Sequence, residues 1–164
     1  TDGRGFRQVT PGDYDDVDNY DACYLPDGRI VFTTTRGNSY VRCGPFIYSY
    51  VLARCDPDGG NLYLISLNGE PDFVPSVMPD GRVIYSRWEY TDTPHYFTRL
   101  LFHMNPDGTR QMEYYGSNSY WPNAIFYARP IPDHPTMVAG IVTGHHVGRV
   151  GELVLEGVAG AHRS

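Results

Sequence analysis

Pro-Asp-Gly occurs four times in this chain, at residues 26–28, 57–59, 79–81 and 106–108. Proline presets the first turn angle and glycine supplies a positive φ, so each copy predicts a tight hairpin turn. Two copies run directly into an arginine and a β-rich stretch, 29–34 and 82–87. The other two stand beside 62–66 and 101–104, which are equally rich in strand-forming residues. A phrase that returns in alternating contexts marks an internal repeat, not a string of unrelated hairpins.

Superposing the copies extends the unit. Residues 18–25 lead into the first turn and 72–78 into the third, so each unit reads strand, turn, strand, connection, strand, turn, strand. The first unit spans 11–70, with an insertion between Gly37 and Gly60, and the second spans 71–116. The third, 117–164, is divergent: Pro132-Asp133-His134 stands where its turn is expected, between strands at 136–142 and 152–155. Residues 1–10 match the last strand of a preceding unit. Gly28 and Gly81 lie 53 residues apart, and Gly59 and Gly108 lie 49 apart. Such periods fit four-stranded propeller blades, so the expected fold is all-β, a partial β-propeller of about three four-stranded antiparallel blades.

Composition supports this class. The 164 residues include 14 tyrosines, 18 glycines and 13 prolines, a turn-dense β composition. No window sustains apolar spacing at three and four residues, so almost no helix is expected. A net charge of -6, with arginines scattered singly, argues against a nucleic-acid partner. No apolar run approaches the ~20 residues that cross a bilayer. The chain begins at Thr1, not methionine, and is expected to start at a processed or truncated end. Of the three cysteines, Cys43 and Cys55 either pair in an oxidising compartment or remain reduced, and Cys23 reads as a small core residue.

The pattern of an aspartate followed at a distance by Pro-Asp-Gly-Arg-Ile/Val, then Leu-Tyr-x-Ile/Met, resembles the TolB-type, or PD40, propeller repeat. A longer likeness covers 88–152: Trp88-Glu89-Tyr90-Thr91-Asp92-Thr93-Pro94-His95, the run 100–108, the run 114–122 and Gly144-His145-His146. Together these are similar to the propeller domain of hydrazine synthase alpha-subunit-like proteins, large multidomain bacterial proteins that often carry c-type haem domains elsewhere. The resemblance implies a secreted or periplasmic protein, of which this chain is a segment. It also implies that the open ends of the stack are covered by the remaining blades or by a second copy of the chain.

Covalent haem needs Cys-x-x-Cys-His, which is absent, so c-type haem is expected only in other domains and none within this segment. The family likeness marks Cys43, His145 and His146 as candidate metal ligands, with zinc one candidate ion. The acidic run Asp13, Asp15, Asp16 and Asp18 is a candidate calcium site, because hard cations want several oxygen ligands. It lacks the glycine and distal glutamate of a helix-loop-helix site, and solvated turns give the same pattern. Aromatic residues interspersed with polar ones suit a ligand or partner surface, here Trp88, Glu89, Tyr90, Asp92, His95, Tyr120 and Trp121. Filling between blades is the competing account of those rings.

No Gly-x-Ser-x-Gly elbow and no phosphate loop occurs, so no self-contained catalytic constellation is read here. Two functions remain. One is a scaffold or interaction module holding neighbouring domains or protein subunits. The other is the non-haem segment of a hydrazine synthase alpha-subunit-like redox enzyme, lending loop residues to a metal or haem site completed elsewhere.

Overall fold

The structure, a computed structural model, describes residues 2–12, 14–42, 44–89, 98–116, 124–144 and 147–156. Thirteen strands and no helix form among the described residues. The first unit is a four-stranded antiparallel meander of β1 (Asn19–Tyr24), β2 (Ile30–Thr34), β5 (Val51–Cys55) and β6 (Tyr63–Leu64). Between β2 and β5 stands a separate hairpin, β3 (Tyr40–Val41) and β4 (Gly44–Tyr48). The insertion is therefore narrower than 37–60, because β5 and the second Pro-Asp-Gly turn belong to the sheet itself.

The second unit is β7 (Asp72–Val77), β8 (Val83–Glu89), β9 (Thr98–Met104) and β10 (Met112–Tyr115), again antiparallel throughout. The third contains β11 (Ala124–Pro130), β12 (Met137–Gly144) and β13 (Val147–Glu156). One parallel bridge, Ala124 to Arg99, joins it to the second.

All four Pro-Asp-Gly turns close in the same way. The glycine N–H donates to the carbonyl three residues back (Leu25, Asp56, Met78, Asn105), each at 2.9 Å. The N–H of that earlier residue donates forward to the residue after the glycine, at 2.8–2.9 Å. Each glycine has φ between 86° and 93°, which a side chain adopts only under strain. Each aspartate accepts the N–H two residues on, at 2.9–3.1 Å, locking the turn from outside. In a meander the first and third connections lie at the same end, so all four turns share one end of the molecule. The third unit keeps the position but lacks the glycine. Asp133 takes the positive φ of 62° instead, and the turn widens until Ile131 N–H meets the Met137 carbonyl. There the His134 Nδ1 accepts the Met137 N–H at 3.0 Å.

The leading strands β1, β7 and β11 each carry a bulge at one repeat position. Asp21, Val74 and Tyr127, spaced 53 residues apart, all adopt a left-handed φ of 51–55°. A β-branched valine there is a strained choice that surrounding packing must impose. These strands lie side by side: β7 packs on β1, β2 and β5 on one side and on β11 on the other. A small hydroxyl ties each step. Thr33 Oγ1 accepts the Val74 N–H at 3.2 Å, and Ser86 Oγ, 53 positions on, donates to the Ile125 carbonyl at 2.8 Å.

Between these strands sit the cores. Leu25, Val31, Leu52 and Ile65 of the first unit meet Val83, Tyr85 and Met104 of the second. The opposite face of the second unit, Met78, Ile84 and Leu101, meets Ile125, Ala128 and Val138. Burying each such side chain stabilises by about 1.5–3 kcal/mol. One buried ion pair lies among them: Arg87 grips Asp72 through two bonds of 2.8 Å, and Arg87 also reaches Gln111 at 2.7 Å. Burial raises the Asp72 carboxyl above its ordinary range despite Arg87, Ser66 and Asn68 as partners. The pair therefore fixes how the strands meet more than it adds net stability.

Two stability experiments follow. Gly108→Ala would place a Cβ 2.4 Å from the Ile65 carbonyl, whereas Gly28→Ala meets nothing within 4 Å at nearly the same φ. In urea unfolding, Gly28→Ala should cost about 1 kcal/mol and Gly108→Ala at least about 1 kcal/mol more. Asp72→Ala should cost about 3–5 kcal/mol by stranding Arg87, while the pair Asp72→Leu with Arg87→Met should recover most of that loss.

Candidate functional site

At the end of the sheets opposite the Pro-Asp-Gly turns, the inner strands and the β3–β4 hairpin enclose a groove of about 640 Å³. Its floor comes from one repeated pair per unit, an aromatic residue followed by the left-handed one: Tyr20-Asp21, Phe73-Val74 and Phe126-Tyr127. A bulge re-aims the side chains around it, which is how three successive strands contribute neighbouring residues to one surface. Phe73 and Phe126 stack at 5.8 Å, and Tyr20 meets Tyr50 edge-on at 5.8 Å. Val41, Ile47 and Tyr48 of the hairpin and Trp88 of β8 complete the lining.

The hairpin is held from both sides. Tyr40 and Tyr48 stack at 4.9 Å. Below it the buried carboxylate of Glu70 accepts from the Arg42 backbone and faces its guanidinium, both at 3.4 Å. At Gly44 a Cβ would stand 2.8 Å from Ile47 Cδ1, so a larger residue there would push the Ile47 side chain aside. The tip exposes Phe46 at 92% and Ile47 at 58%.

Asp21 supplies the one charged side chain among the described lining residues. Other acids stand close by. Tyr20 is raised from the usual phenol value by partial burial and by Asp18, its hydrogen-bond partner. Tyr48 is raised by its bond with Tyr40 and, further off, by the charge of Asp16.

Of the residues predicted for a ligand or partner surface, Trp88 lines this groove and Glu89 ends β8 beside it. Tyr90, Asp92, His95, Tyr120 and Trp121 lie outside the described residues, as do Cys43, His145, His146 and Asp13. Asp15, Asp16 and Asp18 are exposed. Among the described residues no three metal-ligating side chains converge. Tyr20, Phe73 and the hairpin wall were not singled out from the sequence. The signal for the first was present: Tyr20, Phe73 and Phe126 repeat at the same 53-residue interval as Gly28 and Gly81.

The described cysteines are free. Cys55 is buried against Phe32 and Ala53, away from any bridge, and burial raises its thiol. The Cys23 thiol is pushed up to about 11 by burial. Titration in denaturant without reductant should therefore find three thiols, with Cys55 unreactive until the chain unfolds. Because the Cys23 shift is upward, its contribution is complete below the ordinary value of 9.0. Native stability should fall as pH rises from there toward 11, which thermal melts across that range check.

No family model matches the chain, and no curated protein matches it. Solved structures do. The chain is similar to Kuenenia stuttgartiensis hydrazine synthase, with a TM-score of 0.60 and 12% identity over 88% of this chain and 24% of that one. It is also similar to puromycin hydrolase, with a TM-score of 0.51 and 13% identity over 85% of this chain and 19% of that one. The chain thus spans a quarter or less of the length of these structures. At such identities the likeness is one of fold, and the fold it indicates is β-propeller-like.

Proposed function

We propose that this chain is a run of about three TolB-like (PD40) β-propeller blades from a larger secreted or periplasmic protein, serving as a scaffold and interaction module. Residues 1–10 act as the last strand of a preceding blade, and 11–70, 71–116 and 117–164 as successive blades. The observation that carries the reading is the outer face of the first unit. There Phe32, Ala53 and Cys55 form a core with Ile30, Leu62 and Leu64, and Val9 packs against it from the N-terminal segment. Ile30, Phe32 and Cys55 hold the repeat positions that Val83, Tyr85 and Met104 hold in the second unit, where a whole neighbouring sheet covers them.

Val9 supports the assignment of 1–10. A Cβ on Gly59 would meet the Val9 carbonyl at 1.9 Å, as one on Gly108 would meet the Ile65 carbonyl at 2.4 Å. Ile65 directly follows the fourth strand of the first unit, so Val9 stands to that unit as Ile65 stands to the next. Arginines repeat the relation: Arg7 donates to the Pro57 carbonyl and Arg54 to the Pro106 carbonyl, both at 3.0 Å.

The expected partner of this face is a further blade, in the same polypeptide or in a second copy. An apolar dye such as anilinonaphthalene sulfonate should bind the folded 164-residue chain at the half-buried Ile30, Leu62 and Leu64, and Ile30→Lys should remove most of that binding without lowering β-sheet content. A native chain that takes up no dye contradicts the reading.

The similarity to hydrazine synthase favours a second reading, in which the segment lends Cys43, His145 and His146 to a metal or haem site completed by other domains. It requires a Cys-x-x-Cys-His sequence in the full reading frame and zinc or another metal in elemental analysis of the full-length protein. Calcium in the same analysis would support the acidic run around Asp15, Asp16 and Asp18.

A further inference from the structure

The groove between the inner strands and the hairpin has a chemistry of its own. Aromatic residues from every unit line it: Tyr20, Tyr48, Tyr50 and Trp88 stand there with the stacked pair Phe73 and Phe126. Among the described lining residues none is basic, and the single charge is the carboxylate of Asp21. Aromatic faces attract cations through their quadrupole, and they do so most strongly where water is excluded. A neutral apolar ligand would use the rings but not the charge of Asp21, and an anion would be repelled by it.

We propose that this groove is a binding site for an organic ammonium ion with apolar substituents, a quaternary ammonium head group in the simplest case. The alkyl groups lie against the rings of Tyr20, Tyr50 and Trp88, Tyr48 of the hairpin covers the outer side, and Asp21 neutralises the charge. The repeated bulges give this surface its form. The left-handed φ of 51° at Asp21 places a carboxylate where the equivalent residues of the other two units, Val74 and Tyr127, place an apolar and an aromatic side chain.

Choline and its neutral carbon isostere 3,3-dimethyl-1-butanol test this directly. Titrated calorimetrically into the 164-residue chain at low salt, choline should bind at least about tenfold more tightly than the isostere. Asp21→Asn removes the charge while keeping a residue that tolerates the left-handed conformation, and it should weaken choline about tenfold while leaving the isostere unchanged. Tyr48→Phe should bind choline as the parent does, and Tyr48→Leu should weaken it severalfold, with far-UV circular dichroism showing an intact sheet in each. Equal binding of the two ligands, no choline binding at tens of millimolar, or an Asp21→Asn variant indistinguishable from the parent overturns the proposal.

Discussion

A β-strand that is apolar on both faces has no stable place in a lone sheet, and this chain is built around such strands. In β8, Val83 and Tyr85 point to one side and Ile84 to the other, and all three are buried. The second sheet is accordingly sandwiched between the first and the third. The repeated small hydroxyls, Thr33 and Ser86, and the packing of β7 between β1 and β11 set the step from one sheet to the next.

The buried charges respect the same constraint. Asp72 opens β7 at the joint between two sheets, and its counter-charge is Arg87 of the adjacent strand. Arg87 then reaches Gln111, whose amide holds the Ile65 and Gly108 carbonyls, so one network spans strand, turn and neighbouring sheet. Slipping the register of β7 would leave a carboxylate and a guanidinium apart in an apolar setting. This penalises alternatives and so selects one arrangement of sheets.

What could be read from the sequence follows from how local each feature is. The four Pro-Asp-Gly turns were legible because proline and glycine each demand one backbone angle. The divergent turn at Pro132-Asp133-His134 was legible in place but not in shape, since without glycine it opens and recruits the His134 ring. The inner-strand bulges were not legible: aspartate, valine and tyrosine share no preference for a left-handed φ, and Val74 opposes one. Only packing between sheets imposes that angle, and only the preceding aromatic repeats. The β3–β4 hairpin carries no turn phrase, so its extent was overestimated and its part in the groove was unseen. Of the proposed ligand-facing residues, Trp88 was legible as an aromatic at a strand end, whereas Tyr20 and Tyr48 meet across the groove only after the chain has folded.

Native-state hydrogen exchange read residue by residue tests the stacked-sheet account most directly. If the sheets are held by burial on both faces, the amides of β8 and the central part of β9 exchange only when the whole chain unfolds. Those of residues 2–10 and of the outer strand β13 then exchange far faster. Protection spread evenly over all strands, or greatest in β13, would contradict it.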